Sequence, residues 1–324
     1  MDALSLTPEQ AATLLAASHG IAARDFRVLG SELASTFRVS SDLGNLAVKV
    51  QRTSPVEASQ QLWRAEISEH LTRTEHAVPE TLRALTGALV GFGRIAFEPA
   101  TDVAIIVTRW IDAAPYATLD LPVAFGQVLG ATAAHLQLTL AERPTPPHPI
   151  AHPWAAHTMA ETIQHHLAET TLPEVHAAGS RALDIYARHV EPVAPHLPWS
   201  LVHQDLHDDN VLATPDGRIA GIIDFDDMLV GWRVAEPAIA AAYFARTVGD
   251  PIAGVRAVAA GWDAVLPLTP AERSALVPLA AMRLALNAVI WDSRSAGDRH
   301  GYAADRSRGS LPAFAEIAAN LENE

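Results

Sequence analysis

The sequence predicts an α+β fold with two lobes, an N-terminal lobe built on an antiparallel sheet and a larger, mainly helical C-terminal lobe. Short segments rich in Val and Phe follow one another through the first third of the chain, as the strands of a meander do. Alanine-rich segments with helical spacing dominate from Pro122 onward. The segment 112–120 separates the two patterns and resembles a linker. We therefore predict lobes at 1–111 and 112–324.

The N-terminal lobe is predicted to begin with a capped helix. Thr7 stands as the N-cap, Pro8 occupies the first turn, Gln10 completes a capping box and Gly20 ends the apolar run. A second, amphipathic helix is predicted over 55–72 from the helical spacing of its apolar residues. The strand-like segments around that helix form a sheet of about five strands and lie at 26–29, 35–40, 45–50, 81–85, 93–99 and 102–111.

The C-terminal lobe is predicted to contain helices interrupted by one loop and one hairpin. The loop is the stretch 143–154, whose repeated prolines exclude a helix. The hairpin joins the strand-like segments 210–214 and 218–224 through a Pro-Asp-Gly turn. A further helix starts at Thr269, where Glu272 completes a capping box.

Composition and charge exclude several classes of function. The chain has 324 residues and no cysteine, which excludes disulfides, thiolate metal sites and cysteine nucleophiles. Its formal net charge of −14 argues against nucleic-acid binding, because that binding needs lysine and arginine to displace counterions from phosphates. A small cationic or amino-bearing molecule is the more natural partner of an acidic protein.

The sequence predicts neither a membrane segment nor a signal peptide. No lysine or arginine precedes Arg24, so the start of the chain lacks the positive charge of a secretory signal. The apolar stretch 278–291 carries Arg283 and Asn287 and falls short of the roughly 20 apolar residues that span a bilayer. We expect a cytoplasmic protein, and its oligomeric state is left open.

The predicted hairpin brings together a set of hard oxygen atoms. If the chain turns at 215–218, Asn210 faces Asp224 at the open end, and Asp205 lies in the polar loop just before the first strand. Amide and carboxylate oxygens suit Mg²⁺ that takes its remaining ligands from water and phosphate. A separate carboxylate beside such a metal can orient a hydroxyl group and accept its proton. We predict Asn210 and Asp224 as metal ligands and Asp205 as the catalytic base.

These residues also carry a resemblance to a known family. His203 and Asp205 in an HxD motif, Asn210 five residues later and the Ile-Asp-Phe triplet at 223–225 resemble the aminoglycoside phosphotransferase and choline kinase superfamily. The segments GIIDFDDM and VAEPAIAAAYF look most like its hydroxylysine kinase and homoserine kinase-like branch. The resemblance implies a two-lobed protein-kinase-like fold and transfer of the γ-phosphate of ATP, with Mg²⁺, to a hydroxyl group. It implies nucleotide binding in the lobe 1–111 and catalysis and substrate binding in the lobe 112–324. It also implies that His203 packs to support the catalytic loop.

In the N-terminal lobe the resemblance implies one lysine and its partner. Lys49, in the segment LAVKV, matches the strand lysine that grips the α- and β-phosphates. The helix at 55–72 offers Glu66 as the ion-pair partner of that lysine, and Glu69, one turn away, remains an alternative.

The same resemblance implies where the nucleotide is held. The segment VTRWI matches the hinge, where backbone groups at about Thr108 and Trp110 read the adenine edge. The segment 30–36 stands where a glycine-rich loop covers the phosphates, but it has a single glycine. The hydroxyls and amides of Ser31 and Ser35 are the expected substitutes.

Four further residues are candidates for the substrate side. Asp226 and Asp227 lie two and three residues after the predicted metal ligand Asp224, although acidic loop residues are often only hydrated. Trp291 and Asp292 are candidates for a cation-binding wall, because aromatic faces and carboxylates attract ammonium groups. Core packing is the alternative for Trp291.

Three functions remain to be compared. The first is an ATP- and Mg²⁺-dependent kinase for hydroxylysine, homoserine, an amino alcohol or an aminoglycoside. The second is a kinase-like protein that binds nucleotide or ligand without phosphotransfer, which is disfavoured because Lys49, Asp205, Asn210 and Asp224 are all present. The third is a metallohydrolase, which is disfavoured because the histidines lack the spacing of such sites. The acceptor and the choice between ATP and GTP are not encoded in a motif.

Overall fold

The computed structural model describes residues 4–30, 33–74, 76–95, 100–294, 307 and 309–323. The chain divides into two compact units. The first unit comprises Met1–Ala113, Pro146–Pro149 and Gly221–Asp226. The second unit comprises Ala114–Thr145, Ile150–Ala220 and Asp227–Glu324. The assignment of nucleotide binding to one lobe and catalysis to the other stays a prediction.

The first unit contains two helices and five strands within its described residues. In chain order they are α1 (Pro8–His19), β1 (Ala23–Leu29), β2 (Ser35–Ser41), β3 (Gly44–Arg52), α2 (Pro55–Thr72), β4 (Gly91–Ile95) and β5 (Thr101–Arg109). The capping box of Thr7 and Gln10 is formed, and Gly20 ends α1 in the left-handed conformation with φ 67°. The sequence therefore predicted both helices of this unit and their ends.

The strands of the first unit form one antiparallel sheet in the order β1-β2-β3-β5-β4. Side chains alternate across a strand, and Val48 and Val50 are buried in the core that includes α1 residues. Lys49 lies between them in sequence and is opposite Ile106 of β5. On that second face Ala65 of α2 belongs to a cluster against which Ile106 packs. The central strand thus carries Lys49 on the face covered by α2.

One predicted strand of this sheet is wrong. In the segment 81–85, Thr81 forms only an isolated bridge with Thr108. The amides that follow bind separate partners, since Leu82 donates to Val107 and Leu85 donates to Ser18. Leu85 is also 69% exposed, whereas Ala84 is buried and Leu82 packs on the core of the first unit, so the segment packs as an irregular loop.

The second unit is mainly helical. Its elements are β6 (Ala114–Pro115), α3 (Phe125–Leu140), α4 (Met159–Leu167), α5 (Pro173–Ile185), β7 (Trp199–Val202), β8 (Val211–Ala213), β9 (Ile219–Ile222), β10 (Leu229–Trp232), α6 (Ala235–Ala245), α7 (Pro251–Val265), α8 (Pro270–Ser293) and α9 (Ser310–Asn323). The division between the units falls within β9. The predicted α+β class is confirmed.

The short strands form two small sheets that frame the loop with the predicted catalytic residues. Strands β7 and β10 pair antiparallel, and the three strands β6, β8 and β9 lie in that order. The predicted Pro-Asp-Gly turn between β8 and β9 is confirmed, with Gly217 at φ 78°. The amide of Thr214 donates to the carbonyl of Arg218 at 2.9 Å and closes the turn. The loop 203–210 therefore lies between β7 and the hairpin.

Helix α8 forms much of the core of the second unit. The predicted capping box of Thr269 and Glu272 is present at its start. Among the described residues, α8 is the helix long and apolar enough to cross a bilayer by composition, but 89% of its apolar window is buried within the protein. Such burial is typical of a core helix. The polar residues Arg283 and Asn287 lie inside this buried surface.

Candidate active site

The loop after β7 contains a residue in an unusual backbone conformation. Gln204 has φ 73°, in the left-handed region that side chains other than Gly rarely adopt and that costs about 1 kcal/mol or more. Its amide donates to the Glu236 Oε1 atom at 2.6 Å, and its Nε2 atom donates to the Trp154 carbonyl at 2.8 Å. These contacts hold the loop in the conformation that presents Asp205.

Glu236 is a fully buried carboxyl group on α6. Burial raises the pKa of Glu236 to about 8, the amides of Gln204 and His203 oppose this shift, and the charge of Asp205 adds to it. At neutral pH the carboxyl group is therefore mostly protonated. A neutral carboxyl can support the loop without bringing a second negative charge beside Asp205.

Asp205 is held through both oxygen atoms. The Oδ1 atom accepts a hydrogen bond from Arg283 Nη2 at 3.0 Å. The Oδ2 atom accepts one from Asn210 Nδ2 at 2.9 Å and lies 3.3 Å from His207 Nε2. Burial raises the pKa of Asp205, but His207, Arg283 and His203 outweigh it and hold the pKa below the ordinary value. An ionised and oriented carboxylate results, which can accept a hydrogen bond or a proton from a hydroxyl group.

Asn210 is fixed by the same loop. Its Nδ2 atom donates to the backbone carbonyl of Asp205 at 3.0 Å as well as to the carboxylate. With the nitrogen committed to Asp205, the Oδ1 atom is the part of the amide that can serve a cation. Asn210 and, in the first unit, Asp224 each carry a hard oxygen atom of the kind that Mg²⁺ favours, and their binding of one ion stays a prediction.

Asp208 and Asp209 form a group of possible metal ligands with His207, but Asp208 is already paired. Its carboxylate accepts hydrogen bonds from Arg246 at 2.6 and 2.8 Å. Burial raises the pKa of Asp208, and hydrogen bonds from His207 and Arg246 lower it to about 2. The pair stabilises the loop beside Asp205, and Asp208 has a structural role.

Lys49 lies in an acidic environment of the first unit. Its Nζ atom is 2.7 Å from Asp224 Oδ1 and 2.7 Å from Asp226 Oδ2. Burial opposes the charged amine, but the carboxylates of Asp224 and Asp226 outweigh it and raise the pKa of Lys49 above its ordinary value. Asp224 has φ 61° and is, with Gln204, one of two described residues other than Gly in the left-handed region. The backbone is thus unusual at both predicted motifs.

The partner of Lys49 differs from the sequence prediction. Glu66 is exposed on α2, and Glu69 pairs with Arg73 at 3.1 Å and with Arg83. Neither glutamate pairs with Lys49 in the described part of the chain. Two carboxylates from one short segment attract the ammonium group more strongly than one exposed glutamate does.

The predicted phosphate contacts at the start of β2 receive little support. Ser35 is buried, and its hydroxyl donates to the Leu4 carbonyl at 2.7 Å and accepts from the Leu6 amide at 2.9 Å. A buried hydroxyl with both functions in use is a structural link to the segment before α1. Ser31 lies outside the described residues.

The predicted hinge residues are engaged with neighbouring strands. The Trp110 amide donates to the Asn45 carbonyl at 3.0 Å, and the Trp110 ring lies 4.7 Å from the Arg38 guanidinium. Thr108 lies between β3 and the bridge with Thr81. An adenine contact at Thr108 or Trp110 stays a prediction, and at the Trp110 amide it requires the present bond to break.

The structure separates the substrate-side candidates. Asp227 is 31% exposed, and its Oδ1 atom lies 3.3 Å from His152 Nε2. Asp292 is buried, and it accepts hydrogen bonds from the amides of Thr171 and Leu172 at 2.5 and 3.2 Å. Asp292 therefore stabilises the start of α5 and is unavailable as part of a cation-binding wall.

Trp291 belongs to the core of the second unit. The side chain is 4% exposed, and its ring centroid lies 6.4 Å from that of Trp154. Core packing, the alternative to a cation-binding wall, is the interpretation that this burial favours.

Two signals in the sequence were missed. Arg283 is an isolated arginine in an apolar helix, and a buried charge needs a partner, which proves to be Asp205.

Lys49 is the only lysine among the 23 lysine and arginine residues of the chain. Every other residue of that set is an arginine, so the compact ammonium group of lysine occurs at this one position.

The loop after β7 carries an ionised aspartate beside an amide oxygen, and β3 carries a lysine that two aspartates hold. These are groups expected of a phosphotransferase with a kinase-like fold. The chain belongs to the phosphotransferase enzyme family abbreviated APH, whose sequence model matches residues 25–272. The family resemblance seen in the sequence is confirmed.

Curated relatives match over part of their length. Hydroxylysine kinase of Danio rerio is 35% identical over 112 residues, which are 33% of this chain and 32% of that protein. Homoserine kinase of Caulobacter sp. (strain K31) is 37% identical over 108 residues, which are 31% of this chain and 33% of that protein. The chain thus matches about a third of the length of these relatives.

Solved structures extend the likeness to nearly the whole chain. An amicoumacin kinase in complex with AMP-PNP and Ca²⁺ has a TM-score of 0.71 at 15% identity, with 97% of this chain and 94% of that chain covered. A microcompartment-associated aminopropanol kinase has a TM-score of 0.67 at 19% identity, with 93% and 92% covered. At these identities the likeness establishes the fold, and the predicted kinase-like fold is confirmed.

Proposed function

We propose that this protein is an ATP- and Mg²⁺-dependent kinase that phosphorylates a hydroxyl group of a small amino-bearing molecule. Acceptors of the hydroxylysine, homoserine, amino alcohol or aminoglycoside type are the candidates. The observation that carries the proposal is the environment of Asp205, an ionised carboxylate held through both oxygens beside the Asn210 amide. Membership of the phosphotransferase family and the kinase relatives support it.

In the proposed reaction, Asp205 accepts a hydrogen bond from the acceptor hydroxyl and orients its oxygen toward the γ-phosphorus of ATP. The new O–P bond forms as the bond between the γ-phosphorus and the bridging oxygen breaks, which yields a phosphate monoester and ADP. The hydroxyl proton passes to Asp205. Because such transition states are loose, a base with a low pKa suffices, and positioning contributes most of the catalysis.

Three residues would serve the nucleotide and its metal ion. Lys49 would bind phosphate oxygens through its ammonium group, as in the resemblance noted from the sequence. Asn210 and Asp224 would hold Mg²⁺, which supplies charge neutralisation at the phosphates.

The acidic character of the protein supports an acceptor that carries an amine. The net charge of −14 attracts cations, and Asp227 offers a partly exposed carboxylate on the second unit. An ammonium group of the acceptor is the natural partner of that carboxylate.

The proposal is tested by a screen of ADP release with hydroxylysine, homoserine, ethanolamine, choline and aminoglycosides, each with MgATP. We expect turnover with at least one amine-bearing alcohol and none without acceptor beyond slow hydrolysis. Calorimetry with MgATP runs in parallel. Binding without turnover on any acceptor would indicate the kinase-like binding protein, and neither binding nor turnover would reject the proposed function.

A further inference from the structure

Lys49 contacts a second carboxylate, that of Asp226, in addition to the predicted metal ligand Asp224. An ammonium group has three donors, and two of them are directed at Asp224 Oδ1 and Asp226 Oδ2, each at 2.7 Å. Asp226 is two residues beyond Asp224, in the short 3-10 turn that begins at Phe225. One donor remains for a phosphate oxygen while both carboxylates stay in place.

The two carboxylates differ in what else they serve. Asp224 is predicted above as a metal ligand, so a bound ion would share its negative charge with Lys49. Asp226 has no such assignment, and its side chain is 24% exposed against 43% for Asp224. A less exposed ion pair is less screened by solvent and salt. Asp226 is therefore the better placed of the two to hold Lys49 during a catalytic cycle.

The helix residues expected for this role are engaged elsewhere. Glu66 is exposed on α2, and Glu69 is bound to two arginines, Arg73 and Arg83. In the described part of the chain, the acidic side chains within ion-pair distance of Lys49 are Asp224 and Asp226.

We propose that Asp226 is the positioning residue that holds Lys49 for the nucleotide phosphates, in place of a glutamate on α2. The inference rests on the proposed function for its kinetic consequence, but the contact itself does not. In this proposal Asp226 acts through Lys49 and does not touch the acceptor, a role different from the substrate-side role that the sequence suggested for it.

The first test uses the fact that Lys49 is the only lysine. Labelling with ¹⁵N-lysine places a single side-chain ammonium signal in the NMR spectrum of the full chain, without any nucleotide. Asp226→Asn keeps the shape of the side chain and removes its charge, and we expect it to move that signal. Glu66→Gln, a matched loss of one carboxylate, should leave the signal in place. An unmoved signal in Asp226→Asn overturns the proposal, whatever the activity of the protein.

The second test is steady-state kinetics of the same variants. We expect Asp226→Asn to raise KM for ATP by about tenfold, the loss expected for one charge-assisted hydrogen bond, with KM for the acceptor changed less than about twofold. Asp226→Glu should recover part of the ATP affinity, because it restores the charge. A merely structural defect would instead affect both substrates and lower the unfolding temperature.

Other outcomes discriminate between the alternatives. A rise in KM for ATP in Glu66→Gln but not in Asp226→Asn would overturn the proposal and restore the sequence prediction. A rise in KM for the acceptor alone in Asp226→Asn would overturn it in favour of a substrate-side role. If the wild-type protein neither binds nor turns over ATP, the proposed function fails, while the NMR signal still decides the contact.

Discussion

Asp205 and Lys49 are held in opposite ways. Asp205 has one oxygen bound by Arg283, a buried side chain of a core helix, and the other by the adjacent loop. Lys49 projects from the central strand of a sheet and is held by two carboxylates from one short, partly exposed segment. The comparison teaches that the position of Asp205 is fixed by the core of its unit, whereas the position of Lys49 depends on a few local residues.

The largest effect is expected at Asp205 itself. Asp205→Asn keeps the size of the side chain but removes the proton acceptor, so kcat should fall by about 10²- to 10⁴-fold. MgATP affinity measured by calorimetry should remain near that of the wild type. Unchanged turnover in this variant would reject Asp205 as the base.

The next effect tests whether the core fixes Asp205. Arg283→Gln leaves the Asp205 carboxylate without its buried cation, so the free energy of unfolding should fall by about 3–5 kcal/mol in urea titration. The matched control is Arg218→Gln, because Arg218 pairs with Asp216 on the exposed turn. That control should change stability by less than about 0.5 kcal/mol. Equal losses of unfolding free energy in the two variants would show that the buried contact of Arg283 with Asp205 does not stabilise the protein.

A third prediction concerns the support of the catalytic loop by Glu236. Its pKa is raised from 4.5 to about 8, so the folded state binds more protons than the unfolded state between these values. Its stabilising contribution is therefore complete below pH 4.5 and is lost as pH rises toward 8. Glu236→Gln stays neutral and should lack this loss, so its stability relative to the wild type should increase across that window, by at most about 1.4 kcal/mol per pH unit. If the difference in unfolding free energy between Glu236→Gln and the wild type does not vary with pH, the Glu236 carboxyl group is not neutral in the folded state.

The smallest effect separates two candidates for substrate binding. Asp292→Ala removes the acceptor for the amides at the start of α5 and should cost about 1 kcal/mol in the free energy of unfolding, with KM for the acceptor unchanged. Asp227→Ala should raise KM for the acceptor and leave the unfolding free energy nearly unchanged. A rise in KM for the acceptor in Asp292→Ala, without a loss of stability, would instead support a substrate-binding role for Asp292.

The sequence predicted what is local along the chain. The capping boxes at Thr7 and Thr269 and the Pro-Asp-Gly turn follow from residues within four positions of one another, and each is present. The spacing of Asp205 and Asn210 is also local, and their hydrogen bond follows from it. Signals of this kind depend on short-range geometry, which residue types determine directly.

What could not be predicted depends on contacts between distant residues. Arg283 donates a hydrogen bond to Asp205, 78 positions away in sequence. The buried hydroxyl of Ser35 donates one to the carbonyl of Leu4, 31 positions earlier. No local pattern specifies either contact. The partner of Lys49 was misassigned because the left-handed conformation of Asp224, which the sequence does not signal, precedes the turn that carries Asp226.

The single lysine also makes the protein unusually simple toward acylating reagents and reducing sugars. Such reagents modify primary amines, and apart from the amino terminus this chain offers only Lys49. Side-chain modification is therefore confined to Lys49, and the two carboxylates that raise the pKa of its amine should make the reaction slow. Inactivation should therefore follow the modification of one side-chain amine per molecule, and bound nucleotide should protect against it.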